Sequence, residues 1–209
     1  GYNFSNNKST WFDRTEKGKK NNVSFGPTGI VIGGGSRNNR SSMKSSAFSL
    51  VVNRSANFNN TVLYRGQNNQ NSYSQKFLEE IRNSSPGGVA NPNAVAGDFK
   101  FGTSLAFNTY WIDTLRGSGG TVAGYQSRAA GIGNLLQQNT INNKGGITDL
   151  ALGLAANFNE KIFVGGSLGI PFLSYKREAE FIEADATDAL NNFNFASFKE
   201  NLSTKGVGI

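Results

Sequence analysis

The chain has 209 residues, no Cys, no His and a formal net charge of +7. It therefore lacks disulfides, thiolate metal ligands and the imidazole that serves most often as general base or metal ligand. No run of about 18 apolar residues is present, so the sequence predicts no transmembrane helix. The basic residues cluster in segments 14–20 and 37–44 without interleaved aromatic residues. They indicate solvated loops, and we expect no nucleic-acid binding.

The N-terminal third begins with a polar segment and continues as strands. Residues 1–22 are rich in Asn, Lys and Ser and are interpreted as loop. A strand is predicted at about 23–33, where the apolar side chains change from odd to even positions. A register shift at Pro27 and Gly29 would explain that change, as a β-bulge or kink.

A second strand is predicted at 46–58, since Phe48, Leu50 and Val52 share one face and most residues of the other face, such as Ser49 and Asn53, are small or polar. Arg54 interrupts the apolar side of this strand. A charge there is tolerable near a membrane interface and costly at the midplane.

A long excursion over residues 59–130 separates this strand from the next. It contains a predicted helix at 72–83, with a capping-box pattern at Ser72 and Gln75 and apolar residues at helical spacing. A weaker helical pattern covers about 100–115. Loops of this length are uncommon unless they carry structure and function of their own.

Three further strands are predicted, at 135–158, 161–176 and 195–209. The first two are joined by a tight turn and alternate large apolar residues with Gly, Ala, Ser and Asn. Asp149 lies on the small, polar side of this pair, and we expect it to pair with Arg128 or Arg177.

The connections between predicted strands are short, long, short and long. In an antiparallel array both short links then lie at one end, which is typical of outer-membrane barrels and not required of a β-sandwich. The sequence therefore predicts an all-β fold, an antiparallel transmembrane β-barrel with short helices in a long extracellular loop. Residues 142–147 are similar in sequence to residues 203–209. The first segment leads into an apolar strand, so we expect the second to lead into another one. We therefore interpret 1–209 as a single partial barrel domain.

Several strand motifs resemble a known family. Residues 23–33 (VSFGPTGIVIG), 48–54 (FSLVVNR) and 165–172 (GGSLGIPF) are similar to the FadL/TodX-type outer-membrane transport proteins of Bacteroidetes. The resemblance implies a location in the bacterial cell outer membrane. It also implies passive uptake of long-chain fatty acids or aromatic hydrocarbons through a barrel.

The same resemblance implies a substrate groove on the loop helices. Its residues here would be Phe77, Leu78 and Ile81, completed by Tyr110 and Trp111. The alternative is that this helix face simply packs onto the loop and the barrel rim.

A lateral opening in the wall is the family feature that Pro27 and Gly29 would supply; the alternative, which is the commoner explanation of such a pair, is an ordinary bulge. No enzyme is expected, because the chain offers neither a His-type base nor paired carboxylates. No cofactor or metal is expected either.

The expected partners are outer-membrane lipid and a hydrophobic small molecule. An alternative function is that of a barrel subunit in a larger outer-membrane insertion or secretion complex, with other outer-membrane proteins as partners.

Overall fold

A computed structural model describes residues 2–12, 14–38, 40–187 and 189–209, and antiparallel strands dominate it. The elements follow in chain order: β1 Tyr2–Trp11, β2 Arg14–Val23, β3 Thr28–Gly35, β4 Met43–Asn57, β5 Asn60–Asn68, α1 Gln75–Ser84, α2 Pro92–Gly97, α3 Thr103–Asn108, β6 Ile112–Arg116, a 3₁₀ turn Ser118–Gly120, β7 Val122–Ser127, β8 Leu135–Phe158, β9 Ile162–Asp185 and β10 Phe195–Val207. The predicted antiparallel all-β class is confirmed. No helix in the described ranges is long and apolar enough to cross a membrane.

The main sheet has the strand order β10-β9-β8-β4-β3, and β5 also pairs with β8. Strands β4 and β5 follow the same edge of β8, one after the other. Between them the backbone N–H of Phe58 donates to the carbonyl of Gly145 at 3.0 Å. Gly145 has a φ of 119°, a conformation that favours glycine. A Cβ there would also meet the Ser174 carbonyl oxygen at 2.0 Å.

The register sorts the side chains of the main sheet into two faces. Ile32 lies opposite Phe48, and Phe48 opposite Leu154, so large apolar residues form rows across the strands. We call this side the apolar face; its residues are Ile30, Ile32, Phe48, Leu50, Val52, Leu150, Leu152, Leu154, Ile162, Val164, Leu168, Ile170 and Phe172. The opposite side is the small face; it carries Ala47, Ser49, Val51, Ala151, Gly153, Ala155, Gly165, Ser167 and Gly169.

The connections are segregated by length, as the sequence predicts. The short links 36–42 and 159–161 lie together, since Met43 is paired with Phe158. The long links 69–134 and 186–194 lie at the other end.

The N-terminal segment corrects one expectation. Residues 2–11 and 14–22, which were expected to be loop, form strands instead, because β1 and β2 pair as an antiparallel hairpin. This hairpin packs on β5, where the Asn7 side chain donates to the Thr61 carbonyl at 2.9 Å. A Cβ on Gly18 would lie 2.1 Å from the same oxygen. The hairpin was missed because backbone ladder bonds and this close contact hold it, rather than a periodic apolar face.

The strand predicted at 23–33 is also corrected. Val23 ends β2 and Thr28 begins β3. The change of the apolar side chains from odd to even positions therefore marks a break between two sheets and not a bulge. Gly26 and Pro27 separate the two strands, and Pro has no N–H with which to continue a ladder.

Other boundaries differ from the expectations by more than a residue or two. Residues 60–68 of the long excursion form β5, which pairs with β8. The weak helical pattern at 100–115 divides into α3 and β6. Strand β9 continues to Asp185 rather than ending near residue 176, because its polar half remains paired with β8.

The remaining strands lie close to their predicted positions. The expected strands 46–58, 135–158 and 195–209 correspond to β4, β8 and β10. The expected helix at 72–83 corresponds to α1, which begins at Gln75.

Residues 69–134 form a small folded unit at the long-loop end, which we call the cap. It supplies almost all of the buried apolar side chains in the described residues: Phe77, Ile81, Ala90, Val95, Ala106, Trp111, Ile112 and Ala129, with Leu135 from β8. The hydrophobic core of the described chain therefore lies under the cap and not on the apolar face.

Candidate functional site

A buried carboxylate joins the cap to the sheet. Glu183 of β9 is 0% exposed and lies directly opposite Gln137 of β8. The Ser72 hydroxyl donates to its Oε1 at 2.5 Å and the Trp111 indole N–H to the same oxygen at 3.2 Å. The Tyr73 backbone N–H and the Gln137 side-chain amide donate to Oε2 at 2.9 and 2.7 Å.

These bonds determine how the cap is held. A buried carboxylate is costly unless donors surround it, and Glu183 forms no ion pair within the described ranges. Three of its donors come from the cap, so the entry to α1 and Trp111 are attached to β9 at this point. Ser72 is occupied by this contact, and α1 begins three residues later.

Aromatic rings reinforce the same junction. Tyr73 stacks on Phe181 of β9 with ring centroids 4.2 Å apart, and on Trp111 at 5.7 Å. Phe77 approaches Phe198 of β10 at 6.2 Å. Such pairs add specific geometry to the burial of apolar area.

A cavity of about 310 Å³ opens beside this junction. Its walls are aromatic rings from four separate segments: Trp11, Tyr64, Tyr73 and Phe181. Asn71, Gln137 and Asn139 add carboxamides to the lining. We call this the aromatic cavity. A largely apolar concavity with a few polar groups is the usual form of a small-molecule site, and this volume lies at the small end of that class.

The polar groups of the aromatic cavity differ in their availability. Gln137 is fully engaged, since its oxygen accepts from Asn68 at 2.9 Å and its nitrogen donates to Glu183. Asn139 and Tyr64 are a cross-strand pair whose side chains form no hydrogen bond within the described part of the chain. The Tyr64 hydroxyl and the Asn139 carboxamide are therefore free to bind a ligand.

A second cavity of about 620 Å³ lies where the chain passes from the hairpin to β3. It is lined by Asn22, Val23, Ser24, Phe25, Gly26, Thr28, Val52, Arg54, Asn59, Gly145 and Thr148. Pro27 lies in this break, and Gly29 lies just inside β3, opposite Val51. A Cβ on Gly29 would meet the Leu50 carbonyl oxygen at 2.4 Å, so close strand packing explains this glycine.

The five predicted groove residues do not form one open surface. Phe77, Ile81 and Trp111 are buried in the cap core, Leu78 packs partly against it, and Tyr110 is 69% exposed. Their burial favours the packing interpretation of this helix face. Trp111 is not among the lining residues of the aromatic cavity, but it stacks on Tyr73 and Phe181, which are.

Sequence reasoning missed Trp11, Tyr64, Phe181 and Glu183. Trp11 was in a segment interpreted as loop, and Tyr64 was in the long excursion. One signal was present in the sequence, since Val62 and Tyr64 are residue types that are enriched in strands. Phe181 and Glu183 stand in an acidic stretch whose strand character depends on pairing with β8.

The two arginines that were expected as partners of Asp149 form ion pairs with other carboxylates. Arg128 forms an ion pair with Asp113, and Arg177 forms one with Glu200 at 3.3 Å. Burial alone would raise the pKa of Asp113, but the Thr114 backbone N–H and Arg128 donate to it and lower the pKa below its ordinary value. Among the described residues, no three His, Cys, Asp or Glu side chains come together as a metal-binding group.

Comparison with known proteins adds no relative. The chain matches no family model, and it has no significant match among curated proteins or solved structures.

Proposed function

We propose that this protein is an outer-membrane β-barrel protein of the FadL/TodX type that takes up hydrophobic small molecules passively. In this proposal the main sheet is part of the barrel wall. The aromatic cavity is the ligand site, and its ligands are long-chain fatty acids or aromatic hydrocarbons.

The exposed apolar face is the observation that carries the proposal. Leu154, in the middle of the apolar stretch of β8, is 68% exposed, and rows of Ile, Phe and Leu beside it are also open to the surroundings. Contiguous apolar patches of this kind are rare on water-soluble proteins and mark a membrane or protein contact. The opposite face carries Gly, Ala and Ser, which suits a lumen.

The height of the apolar face fits a bilayer. On β9 it runs from Ile162 to Phe172, which is eleven residues. At about 3.3 Å per residue and a tilt of about 45°, that length spans roughly 23 Å. The apolar band of outer-membrane barrels is about 25 Å tall. Closure of the barrel would require β3 and β10 to pair with further strands.

The segregated connections give the proposed orientation. Short turns face the periplasm in such barrels and long loops face outward. The cap then lies on the extracellular side. The aromatic cavity beneath it would receive ligand there, and the break at Pro27 would serve as the lateral exit through the wall.

Ligand binding by the intact protein tests the site. The probe is N-phenyl-1-naphthylamine, whose fluorescence rises in apolar surroundings, with palmitate and naphthalene as separate competitors. Tyr64→Ala should weaken probe binding about ten-fold, because it removes one wall of the cavity. Tyr110→Ala is the matched control, since it removes an exposed tyrosine from the cap and should leave binding unchanged.

Two outcomes would count against the site. Equal binding by wild type and Tyr64→Ala would place the probe elsewhere, and a larger loss in Tyr110→Ala would point to the outer surface of the cap. Preferential competition by naphthalene or by palmitate would choose between the two ligand classes.

The alternative function, a barrel subunit of a larger outer-membrane complex, is favoured by one observation. Phe101, Leu105 and Tyr110 are neighbours in the chain, and all three are exposed, Phe101 to 94%. They would form a docking surface on the outer side of the cap. Purification in gentle detergent followed by mass spectrometry tests this function. A partner that is lost in Phe101→Ser would support it, and a monomer without partners would exclude it.

A further inference from the structure

Cations occur on four neighbouring strands at the level where the apolar face ends. Arg54 follows Val52 on β4, Lys144 lies beyond Leu150 on β8, and Lys176 lies beyond Phe172 on β9. Lys205 precedes Val207 on β10. The register places all of them on the same side of the sheet as the apolar face. We call these four residues the cation belt.

The belt is an arrangement that folding alone does not favour. Lys144 lies directly opposite Lys176, and like charges in that position destabilise a sheet. Lys205 lies opposite Ser174, within one row of Lys176 on the same side. Two long cations from adjacent strands are thus held together at the border of the apolar face, with a third beside them.

Acidic neighbours compensate this charge only in part. Glu178, one row further out, forms an ion pair with Lys176 at 2.6 Å. Lys144 and Lys205 form no ion pair within the described ranges. Arg54 donates from Nη2 to the Gly145 carbonyl at 2.7 Å, so its charge stays at the same border.

A lysine of the N-terminal hairpin lies close to the belt and is affected by its charge. The Lys20 ammonium donates to the Asn143 carbonyl at 3.0 Å, next to Lys144 in the chain. Burial, followed by the charge of Lys144, lowers the pKa of Lys20, and Glu178 opposes this shift. The charge of Lys144 therefore acts on Lys20 in addition to the effect of burial.

We infer that the cation belt binds the phosphate groups of anionic lipid headgroups. This inference rests on the proposed membrane location, because the apolar face then places the belt at the height of the headgroups. Basic side chains at a membrane surface attract anionic lipid, and Lys binds phosphate as a point charge. An anionic headgroup between Lys144 and Lys205 would offset the repulsion across the strands.

Lipid retention by the intact protein tests the inference. The protein is reconstituted in vesicles of equimolar phosphatidylcholine and phosphatidylglycerol, and the lipids that remain bound are counted by native mass spectrometry. Wild type should retain phosphatidylglycerol in excess. Lys144→Gln and Lys205→Gln should each lower that excess about five-fold, and the double variant should lower it further. All of these side chains are exposed, so the variants should fold.

Lys199→Gln is the control, and Lys100→Gln with Lys199→Gln matches the charge of the double variant. Lys199 lies on the same strand and the same side as Lys205, three rows further out, and pairs with Glu180 at 3.1 Å. The control variants should retain phosphatidylglycerol like wild type. An equal loss in controls and belt variants would overturn the inference, because net charge alone would then explain retention.

Failure of the inference and failure of the proposed function give different results. Insertion into pure phosphatidylcholine vesicles, measured by co-flotation, depends on the apolar face and not on the belt. A protein that does not insert contradicts the membrane location. A protein that inserts but shows no preference for phosphatidylglycerol contradicts the cation belt alone.

Discussion

The cap and the main sheet use the same apolar residue types in opposite ways. In the cap, Phe77 is 1% exposed and lies among other buried side chains. On the apolar face, Phe48 and Leu154 remain open. The cap therefore has an interior of its own, whereas the sheet has an apolar surface without one.

This difference indicates two kinds of surroundings for one chain. The hydrophobic effect in water favours the cap, because its core removes large side chains from solvent. The same effect opposes the apolar face unless lipid or protein covers it. Glu183 lies at the boundary, where it attaches the cap to the sheet.

The largest expected effect concerns the cap core. Phe77→Ala should lower the local unfolding free energy of the cap by about 3–5 kcal/mol, since it leaves a cavity among close-packed side chains. Hydrogen exchange of the amides of α1, β6 and β7 measures this loss. Phe48→Ala in detergent is the control and should cost clearly less. Equal losses would show that the two regions are not packed differently.

Leu154→Arg tests the apolar face with a charge at its centre. We expect a loss of about 2–4 kcal/mol in unfolding free energy in lipid vesicles, because the charge would lie near the bilayer midplane. Leu105→Arg in the cap is the control and should stay within about 0.5 kcal/mol. A sheet that faces water would tolerate Leu154→Arg just as well, and that result would end the membrane interpretation.

Glu183→Gln tests the junction between cap and sheet. The change removes the charge and sets an amide N–H₂ against groups that are themselves donors, so we expect a loss of about 1–3 kcal/mol. Hydrogen exchange should show the cap loosened while β8 and β9 stay protected. If exchange increases uniformly, the junction is part of the sheet core and not an attachment point.

The smallest expected effect is a pH dependence within the cap. The pKa of Asp113 is lowered in the folded state, so its ion pair with Arg128 stabilises the cap above the ordinary carboxyl pKa. That contribution is lost as the pH falls from about 4 through the lowered pKa, and such pairs are worth about 0.5–1 kcal/mol. Asp113→Asn should flatten the acid limb of cap stability below about pH 4. An unchanged limb would assign the pH dependence to other carboxylates.

Alternation along the chain predicted most of the main sheet. A strand such as β8 shows its two faces in sequence, because successive side chains point to opposite sides. The lengths of the connections predicted which strand ends lie together, and the helical spacing of Tyr73, Phe77 and Ile81 predicted α1. These features depend on neighbours in sequence, which is why they could be found without a structure.

The aromatic cavity could not be predicted in the same way. Trp11, Tyr64, Tyr73 and Phe181 are far apart in the chain and meet only because the hairpin, β5, the cap and β9 come together. In the polar half of β9, apolar residues do not alternate regularly with polar ones. The positions of Phe181 and Glu183 therefore depend on the pairing of this half with β8.

Local patterns in the sequence were sufficient to predict the strands whose alternation is complete, the helix with an apolar stripe and the separation of long from short connections. The fold was needed to show that the apolar side of α1 is buried while the apolar side of the sheet is open. Periodicity specifies which side chains share a face, and not what covers that face. For α1 the cover is the rest of the cap; for the sheet we propose that it is lipid.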